Sequence, residues 1–342
     1  MKALLLTRYM QLEMAELPET KPEAGEVLIR VAACGICGSD VHGYDGSSGR
    51  RVPPIVMGHE AAGTVAALGD GVTDFAAGDR VTFDSTVYCG TCAPCRRGEI
   101  NLCDNRQVLG VSCAEYRRAG AFAEYVAVPS RIVYRLPDGL SFAEAAMLEA
   151  AAVAVHAVSL AQSFPESTAL VVGVGMIGLL AAQALRAAGC SRVFVADVDG
   201  SRLKLAQDLG ATAVLSAETD IAKQVLQLTG GAGTDVVVEA VGRTETVTAS
   251  VESVRRGGTV VLVGNISREV SIPLQKVVTR QIRLQGSCAS AGEYPRAMEL
   301  LASGAIQVKP LITAIAPLAD GPQWFARLHA REPNLMKVVL VP

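Results

Sequence analysis

The chain has 342 residues, of which 50% are hydrophobic and 19% are charged; this composition can bury a core and is unlike that of a disordered protein. At about 150 residues per domain, the length predicts two domains. The 31 Lys and Arg residues nearly balance the 34 Asp and Glu residues, for a net charge of -3, which argues against a nucleic-acid partner or an anionic membrane surface. The apolar run after Met1 is too short for a signal peptide and no stretch is apolar enough for a membrane span, so we expect a cytoplasmic protein.

The first 150 residues contain short β-rich runs separated by Gly and Asp turn formers such as Gly69-Asp70-Gly71. We predict strands at Val27–Ala33, Ala61–Leu68, Arg80–Phe83 and Phe122–Pro129. Closely spaced short strands of this kind predict a mostly antiparallel, barrel-like domain.

A dispersed set of metal-binding side chains lies within these runs. Cys37 stands in the segment CGICGSDVH, and the segment GHE supplies His59 and Glu60. One thiolate, one imidazole and one carboxylate leave a coordination position for water or substrate, as is typical of a catalytic zinc. Cys34 is an alternative ligand to Cys37, since CxxC pairs often bind metal together.

Four of the nine cysteines lie within fifteen residues, at Cys89, Cys92, Cys95 and Cys103. An odd cysteine count in a reducing compartment argues against a disulfide framework. Four thiolates suit a tetrahedral Zn²⁺ and leave no open position, so the predicted site is structural. An iron–sulfur cluster is disfavoured, because the spacing to Cys103 is longer than in bacterial ferredoxins and Asp104 rather than Pro follows it.

From about Ser167 the chain alternates between short Val-rich runs and helical patterns. The predicted strands are Ala169–Gly173, Val193–Asp197, Ala213–Leu215, Asp235–Glu239, Thr259–Val263 and Ile282–Gly286, and the predicted helices are Ile177–Ala188, Ser201–Leu209 and Ile221–Leu228. This alternation predicts a doubly wound parallel sheet. The last fifty residues hold a helix at Pro295–Ser303 and a strand at Lys337–Val341, and we expect them to return to the first domain.

A glycine-rich turn follows the first of these strands. In the segment GVGMIG, Gly173 permits a tight turn, Gly175 lets the backbone approach a pyrophosphate, and Gly178 lets helix and strand pack closely. The position between strand and helix favours a dinucleotide site over an ordinary turn. Further candidate contacts of the cofactor are Met176, Ile177, Val241, Val263 and Gly264.

The choice of dinucleotide depends on Asp197, at the end of the second strand. A carboxylate there accepts hydrogen bonds from the ribose hydroxyls and repels a 2′-phosphate, which favours NAD over NADP. Arg202 is the nearby cation that could weaken this preference, although a solvated helix face is the more ordinary place for it.

These motifs together resemble the zinc-dependent medium-chain dehydrogenase/reductase family, and within it the sorbitol (polyol) and threonine dehydrogenase branch. The likeness covers essentially the whole chain, including the run VEAVG at 238–242. It implies an α/β fold in which a GroES-like β-barrel catalytic domain at 1–153, completed by 290–342, accompanies a Rossmann doubly wound parallel sheet at 154–289. It also implies two zinc ions per chain, NAD, a small-molecule alcohol substrate and a homotetramer or homodimer.

The resemblance implies a role for each zinc-site residue. Cys37, His59 and Glu60 match the catalytic zinc ligands, and Glu149 matches a fourth, exchangeable ligand. Cys34 then becomes a packing residue.

The resemblance also implies a proton path. Ser39 matches the hydroxyl that takes the substrate proton, His42 the outer end of a relay, and Asp40 a residue beside the zinc ligands. Hydride would pass between NAD and a secondary alcohol.

Two positions depart from the sorbitol branch. Ala150 follows Glu149 where Pro is usual, and Ser287 and Cys288 follow the sixth strand where polyol enzymes usually carry an Arg. Another polyol, a sugar acid, or an amino alcohol as in L-threonine 3-dehydrogenase therefore stays open. A metal-free reductase or a noncatalytic NAD-binding protein is disfavoured, because neither needs the thiolate at Cys37 together with the GHE segment.

Overall fold

The computed structural model describes residues 1–161 and 165–342. The strands are β1 Lys2–Arg8, β2 Gln11–Glu16, β3 Glu26–Gly35, β4 Ile55–Val56, β5 Glu60–Leu68, β6 Arg80–Phe83, β7 Thr86–Val87, β8 Gln107–Val108, β9 Val111–Ser112, β10 Arg117–Arg118, β11 Tyr125–Pro129, β12 Val133–Arg135, β13 Thr168–Val172, β14 Arg192–Asp197, β15 Ala213–Ser216, β16 Thr234–Glu239, β17 Val254–Leu262, β18 Arg283–Gly286, β19 Ile312–Pro317 and β20 Lys337–Val341. The helices are α1 Gly38–Tyr44, α2 Ala93–Arg96, α3 Phe142–Ala145, α4 Leu148–Ser159, α5 Met176–Ala187, α6 Gly200–Asp208, α7 Ile221–Leu228, α8 Thr244–Ser253, α9 Leu274–Thr279, α10 Tyr294–Ala302 and α11 Gly321–His329.

The chain forms two compact units: the first unit comprises residues 1–149 and 308–342, and the second unit comprises residues 150–307. Residues 150–153 and 290–307, which we expected to belong to the first domain, lie in the second unit. Two contacts inside the second unit explain the placement of residues 290–307. Glu293 Oε1 lies 2.8 Å from Nδ1 of His156, and the N–H of Gln307 donates to Oε1 of Gln183 at 2.8 Å.

The main sheet of the first unit is mostly antiparallel, as the short runs predict. Its strand order is β12-β6-β5-β3-β20-β19, and β11 also pairs with β3. Along β3, Val27, Ile29 and Val31 alternate with less buried residues and point into the core. The C-terminal strand β20 pairs with β3, with Leu340 opposite Cys34, so the end of the chain completes the first unit as expected.

The second unit contains a six-stranded sheet in the order β15-β14-β13-β16-β17-β18. All of its pairings are parallel. Numbered along the chain this order is 3-2-1-4-5-6, which is the order of the Rossmann dinucleotide-binding fold. Leu170, Val237 and Val260, on three neighbouring strands, are fully buried, because helices cover a parallel sheet on both faces.

The Ala-rich stretch at 143–161 forms α3 and α4 rather than one long helix. Its alanines are buried in the protein, including Ala146 and Ala151. Among the residues that the structure describes, no helix combines the length and the apolar character needed to cross a bilayer.

Candidate functional site

The pairing of β3 with β5 brings together a cysteine, a histidine and a glutamate that are distant in sequence. Gly35, near the end of β3, lies opposite Glu60, the first residue of β5. Cys37 follows β3 in extended conformation and precedes α1, and His59 directly precedes β5. Candidate ligand atoms of Cys37, His59 and Glu60, here called the three-ligand set, all lie within 4.8 Å of one another.

The chemistry of the three-ligand set fits Zn²⁺, which binds thiolate, imidazole and carboxylate groups in catalytic sites. His59 and Glu60 are 5% and 1% exposed, so water does not compete freely for them. Nδ1 of His59 lies 3.4 Å from Oδ1 of Asp40; a carboxylate beside one ring nitrogen is the usual arrangement for a histidine that binds a metal through the other. Burial alone would raise the pKa of Asp40, but His59 and Arg51 outweigh it and hold that pKa at about 2.

The structure distinguishes the two early cysteines. Cys34 is fully buried in β3, lies outside the three-ligand set, and has its pKa raised by burial. It occupies a packing position, whereas Cys37 is near His59 and Glu60.

A buried lysine donates a hydrogen bond to Glu60 of the three-ligand set, and no sequence motif predicted this contact. Nζ of Lys337, at the start of β20, donates to Oε2 of Glu60 and to the carbonyl oxygen of Ile36 at 3.2 Å. Burial alone would lower the pKa of Lys337, but the negative charges of Glu60 and Cys37 hold it above its usual value. A lysine opening an otherwise apolar terminal strand is the one signal that could have indicated this contact.

Glu149 lies outside the three-ligand set. Its Oε1 accepts a hydrogen bond from Oγ of Ser85 at 3.0 Å. Burial raises the pKa of Glu149; His59 and Ser85 oppose this effect and the charge of Glu60 adds to it. These influences show that Glu149 is near the set without being part of it.

The two predicted proton-relay residues share one face of α1. Ser39 and His42 are three positions apart, so their side chains are neighbours on the helix. Oγ of Ser39 accepts a hydrogen bond from Nη2 of Arg51 at 3.2 Å, and Nδ1 of the exposed His42 lies 3.1 Å from Oγ of Ser47. No motif in the sequence pointed to Arg51.

The four-cysteine set, Cys89, Cys92, Cys95 and Cys103, has its sulfur atoms within 4.8 Å of one another. Sγ of Cys89 accepts N–H donors from Thr91 and Cys92, both at 3.4 Å, and Sγ of Cys103 accepts the N–H of Cys89 at 3.3 Å. Thr91, through its N–H and hydroxyl, and the N–H of Cys92 lower the pKa of Cys89 to about 5, whereas desolvation and the neighbouring Cys92 raise the pKa of Cys95 to about 12. The fit to a metal comes from the four clustered sulfur atoms. The set therefore fits a tetrahedral structural zinc.

The glycine-rich turn has the geometry expected of a dinucleotide site. Gly173 adopts a φ of +88°, and a side chain at Gly178 would overlap the carbonyl oxygen of Gly173. A side chain added at Gly175 would meet nothing within 4 Å, so this stretch of backbone is open to a ligand. The two tight positions allow close packing and the open one allows approach.

A cavity of about 560 Å³ lies beside this turn. Its lining includes Gly173, Asp197, Arg202 and Val241, but not Met176, Ile177, Val263 or Gly264. Asp197 is 9% exposed, and its carboxylate accepts the N–H groups of Val174 at 2.7 Å and Asp199 at 2.9 Å. Arg202 is half-exposed and lies 3.6 Å from Asp199, so it is not committed to Asp197.

Buried Glu239 shapes the neighbouring loop, a role that the sequence did not indicate. Its Oε1 accepts the N–H groups of Val241 at 3.0 Å and Gly242 at 2.8 Å. Its backbone carbonyl accepts those of Val263 and Gly264 at 2.9 and 3.0 Å. Glu239 thus fixes the two loops that carry three predicted cofactor contacts.

Two family models match the chain. Residues 23–138, within the first unit, match the alcohol dehydrogenase GroES-like domain, and residues 176–303, within the second unit, match the zinc-binding dehydrogenase domain.

Full-length similarity extends to curated relatives and a solved structure. Sorbitol dehydrogenase of Bacillus subtilis (strain 168) is 34% identical over 347 residues, covering 100% of this chain and 97% of the relative. L-idonate 5-dehydrogenase of Vitis vinifera is 37% identical over 306 residues, covering 86% and 82%. A structure described as a zinc-binding dehydrogenase from Sinorhizobium meliloti 1021 bound to NADP superposes with a TM-score of 0.91 at 32% identity, covering 100% of this chain and 99% of that one.

Proposed function

The chain belongs to the zinc-dependent medium-chain alcohol dehydrogenase family, and from this premise we propose that it oxidises a secondary alcohol of the polyol or sugar-alcohol class, with NAD as the hydride acceptor. The observation that carries the proposal is the buried three-ligand set, whose ligand atoms lie within 4.8 Å of one another. Three protein ligands leave one tetrahedral position for the alcohol oxygen.

The chain's own groups handle the proton in this scheme. When bound, Zn²⁺ supplies Lewis-acid polarisation of the alcohol and the nicotinamide ring accepts the hydride. Oγ of Ser39 takes the proton from the alcohol hydroxyl as its own O–H proton moves on towards His42, and the exposed His42 on the same helix face releases a proton to water. Glu149, held by Ser85, provides a carboxylate that can exchange into the coordination sphere.

The carboxylate of Asp197 supports NAD rather than NADP. It lines the cavity next to the glycine-rich turn, where it would accept hydrogen bonds from the ribose hydroxyls and repel a 2′-phosphate. The neighbouring Arg202 is the residue through which NADP could still be accommodated, since it lines the same cavity.

The relatives that act on sorbitol and L-idonate support a polyol or sugar-acid substrate. Ser287 and Cys288 stand after β18 where the polyol enzymes usually carry an Arg, so an amino alcohol such as L-threonine is the second candidate. NADH formation with sorbitol, other polyols, L-idonate and L-threonine at alkaline pH decides between them. Zinc-replete protein that reduces no NAD with any of them would favour a noncatalytic NAD-binding protein.

Two cysteine variants test the metal site. Cys37→Ser removes a ligand, so we expect metal analysis to find one zinc ion per chain instead of two, and alcohol oxidation to fall to background. Cys34→Ala is the matched control, because Cys34 lies three residues away and outside the three-ligand set; it should keep both ions. Full activity of Cys37→Ser, or iron in place of zinc, would contradict the proposal.

We further propose that the four-cysteine set holds the second, structural zinc. Cys92→Ser should release that ion and lower the melting temperature while the remaining folded fraction retains its turnover per catalytic zinc. Loss of turnover without loss of stability would assign the set a catalytic role instead.

A homo-oligomer, a tetramer or a dimer, is also proposed. Its support is β18, an edge strand of the parallel sheet, together with Leu274 and Val278 on α9, which are 61% and 69% exposed. Sedimentation velocity of the purified protein tests it.

Ligand sets made of free cysteines need a reducing compartment, which supports the cytoplasm as the location.

A further inference from the structure

Arg51 is a buried cation that pairs with the buried Asp40 and also reaches Ser39. It is 5% exposed, and its Nη2 lies 3.2 Å from Oγ of Ser39 and 3.4 Å from Oδ1 of Asp40. Its Nε is buried and has no hydrogen-bond partner among the described residues. Burying a guanidinium group with incomplete hydrogen bonding is costly, and replacing the whole Arg51–Asp40 pair by apolar side chains of similar volume would usually be as stable, whereas removing Arg51 alone leaves Asp40 without this charge partner.

The surroundings of Arg51 hold its side chain on one path. Its two chain neighbours are pinned to the same residue, since Val52 donates to the carbonyl of Ser112 at 3.0 Å and Ser112 donates to the carbonyl of Arg50 at 3.2 Å. The side chain then crosses α1 at Gly43, where an added Cβ would lie 2.5 Å from Cγ of Arg51. A glycine at this turn of α1 is therefore what admits the arginine.

The two acceptors of Nη2 belong to different parts of the site. Ser39 is the proposed proton acceptor, and Asp40 contacts His59 at 3.4 Å and also accepts the N–H of Cys37 at 3.2 Å. A guanidinium group can only donate hydrogen bonds, so Ser39 receives a donor from Arg51 and must direct its own O–H elsewhere. One nitrogen thus fixes both the direction of the Ser39 hydroxyl and the place of the carboxylate that orients a metal ligand.

We propose that Arg51 is a positioning residue that couples the Ser39 proton path to the zinc-ligating His59 through Asp40. This inference rests on the proposed function. Removing Arg51 should loosen the Ser39 hydroxyl and the Asp40–His59 contact together, while the cofactor cavity of the second unit is unchanged.

Arg51→Met and Arg51→Lys test this proposal in the zinc-loaded enzyme. For Arg51→Met we expect kcat to fall about ten- to hundred-fold and zinc to be lost at a lower chelator concentration, as is usual when the partners of metal ligands are removed. KM for NAD should stay unchanged, and the solvent deuterium isotope effect on kcat should rise, because proton transfer through Ser39 becomes slower. Arg51→Lys, which restores one donor, should recover part of each loss.

Two further variants separate positioning from folding. Arg50→Met is the matched control: Arg50 is the exposed neighbour whose guanidinium lies 3.4 Å from the hydroxyl of Tyr116, and this variant should behave as wild type. Gly43→Ala keeps the charge of Arg51 but displaces its side chain, so it should reproduce the larger isotope effect and the weaker zinc retention.

The outcomes separate this inference from the proposed function. An Arg51→Met protein with a lower melting temperature, but with wild-type isotope effect and zinc retention, would reduce Arg51 to a structural residue and overturn the inference. A wild-type protein that holds no zinc at Cys37, or oxidises no alcohol, would instead overturn the proposed function.

Discussion

Three charged side chains lie buried around the three-ligand set: Asp40, Arg51 and Lys337 are 0%, 5% and 3% exposed. Asp40 contacts His59, and Lys337 bonds Glu60. When Zn²⁺ is bound, its charge balances the thiolate and the carboxylate of the set. When the metal is removed, Lys337 is the cation left in contact with Glu60. Zn²⁺ and the Lys337 ammonium group therefore both compensate the negative charge of Glu60.

Lys337→Met tests this shared role. We expect the variant, stripped of zinc by a chelator, to lose about 3–5 kcal/mol of unfolding free energy, because it leaves Glu60 buried without a charge partner. The zinc-loaded variant should lose much less. Urea unfolding with and without chelator measures both values.

Lys309→Met is the control for that experiment, since Lys309 is largely exposed and lies 3.5 Å from Glu144. Its effect should stay within about 1 kcal/mol under both conditions. Equal losses for Lys337→Met with and without zinc would show that the metal does not share the charge of Glu60.

Cofactor preference can be tested at Asp197, which lines the cavity. Asp197→Asn should lower kcat/KM for NAD by about ten- to hundred-fold, since a hydrogen bond to a charged group contributes about 1.5–3 kcal/mol. It should raise kcat/KM for NADP, because the charge that repels a 2′-phosphate is gone. Asp208→Asn, which removes an exposed carboxylate from the same helix α6 without altering a cavity-lining residue, should leave the NAD to NADP ratio unchanged. An unchanged ratio in Asp197→Asn would assign the preference to another residue.

At the scale of elements, the sequence predicted the parallel sheet well because its central strands β13, β14 and β16 are buried on both faces. Such strands are continuous apolar runs, and the predicted run Asp235–Glu239 differs from β16 by one residue. The GroES-like and Rossmann folds expected from the resemblance are confirmed by the matching models and the strand orders. Helix α8 was not predicted, because its sequence TETVTASVES is rich in β-branched residues. In addition, Val247 and Val251 are its only buried large apolar side chains, so its helical periodicity is weak.

In the candidate site, residues within local motifs were predicted from the sequence, and residues brought in by strand pairing were not. Cys37, His59 and Glu60 belong to local motifs and were found from the sequence. Lys337 reaches Glu60 from 277 positions away, through the pairing of β20 with β3. Contacts of this kind depend on the register between strands, which no local pattern encodes.

Asp235 provides a prediction about element assembly. It is the second residue of β16 and accepts hydrogen bonds from the N–H of Thr168 in β13 at 2.8 Å and from Nε of Arg255 in β17 at 2.6 Å. Burial alone would raise the pKa of Asp235, but Arg255 and Thr168 hold it below its usual value. A single carboxylate therefore links the N-terminal ends of three neighbouring strands, β13, β16 and β17.

Asp235→Asn should cost about 1–2 kcal/mol of unfolding free energy at pH 7, the contribution expected of a hydrogen-bonded charge. Because the folded pKa is depressed, the advantage of the carboxylate is full above its unfolded pKa of about 3.9 and is lost as the pH falls through the folded value. Urea unfolding at pH 7, 5 and 3.5 should show a constant difference down to pH 5 and a smaller one below about pH 4. Asp208→Asn, which removes an exposed pair with Lys204, should cost about 0.5 kcal/mol or less of unfolding free energy. If Asp235→Asn costs no more than this control, the contacts of Asp235 with β13 and β17 do not stabilise the sheet.

At the scale of the whole molecule, the first unit is assembled from both ends of the chain, and the second unit is inserted between them. The strand β20 lies between β3 and β19 in the main sheet. It is therefore an interior strand, although it is the last one in the sequence. The unit that contains the three-ligand set cannot form fully until the last residues are present.

A stop after Met336 tests this dependence. The truncation removes Lys337 and the fully buried Val338, Val339 and Leu340; at about 1.5–3 kcal/mol for each apolar side chain, the loss is comparable with the roughly 5–15 kcal/mol that stabilises a typical domain. We expect hydrogen exchange to lose protection along β3 and β5 while β13 and β16 in the second unit keep theirs, and both zinc ions to be bound more weakly. A stop after Leu340 removes only the exposed Val341 and Pro342 and should leave all four strands protected. Retained protection of β3 after the longer truncation would contradict this dependence. It would mean that the N-terminal segment forms a stable core, and keeps the amides of β3 hydrogen-bonded, without β20.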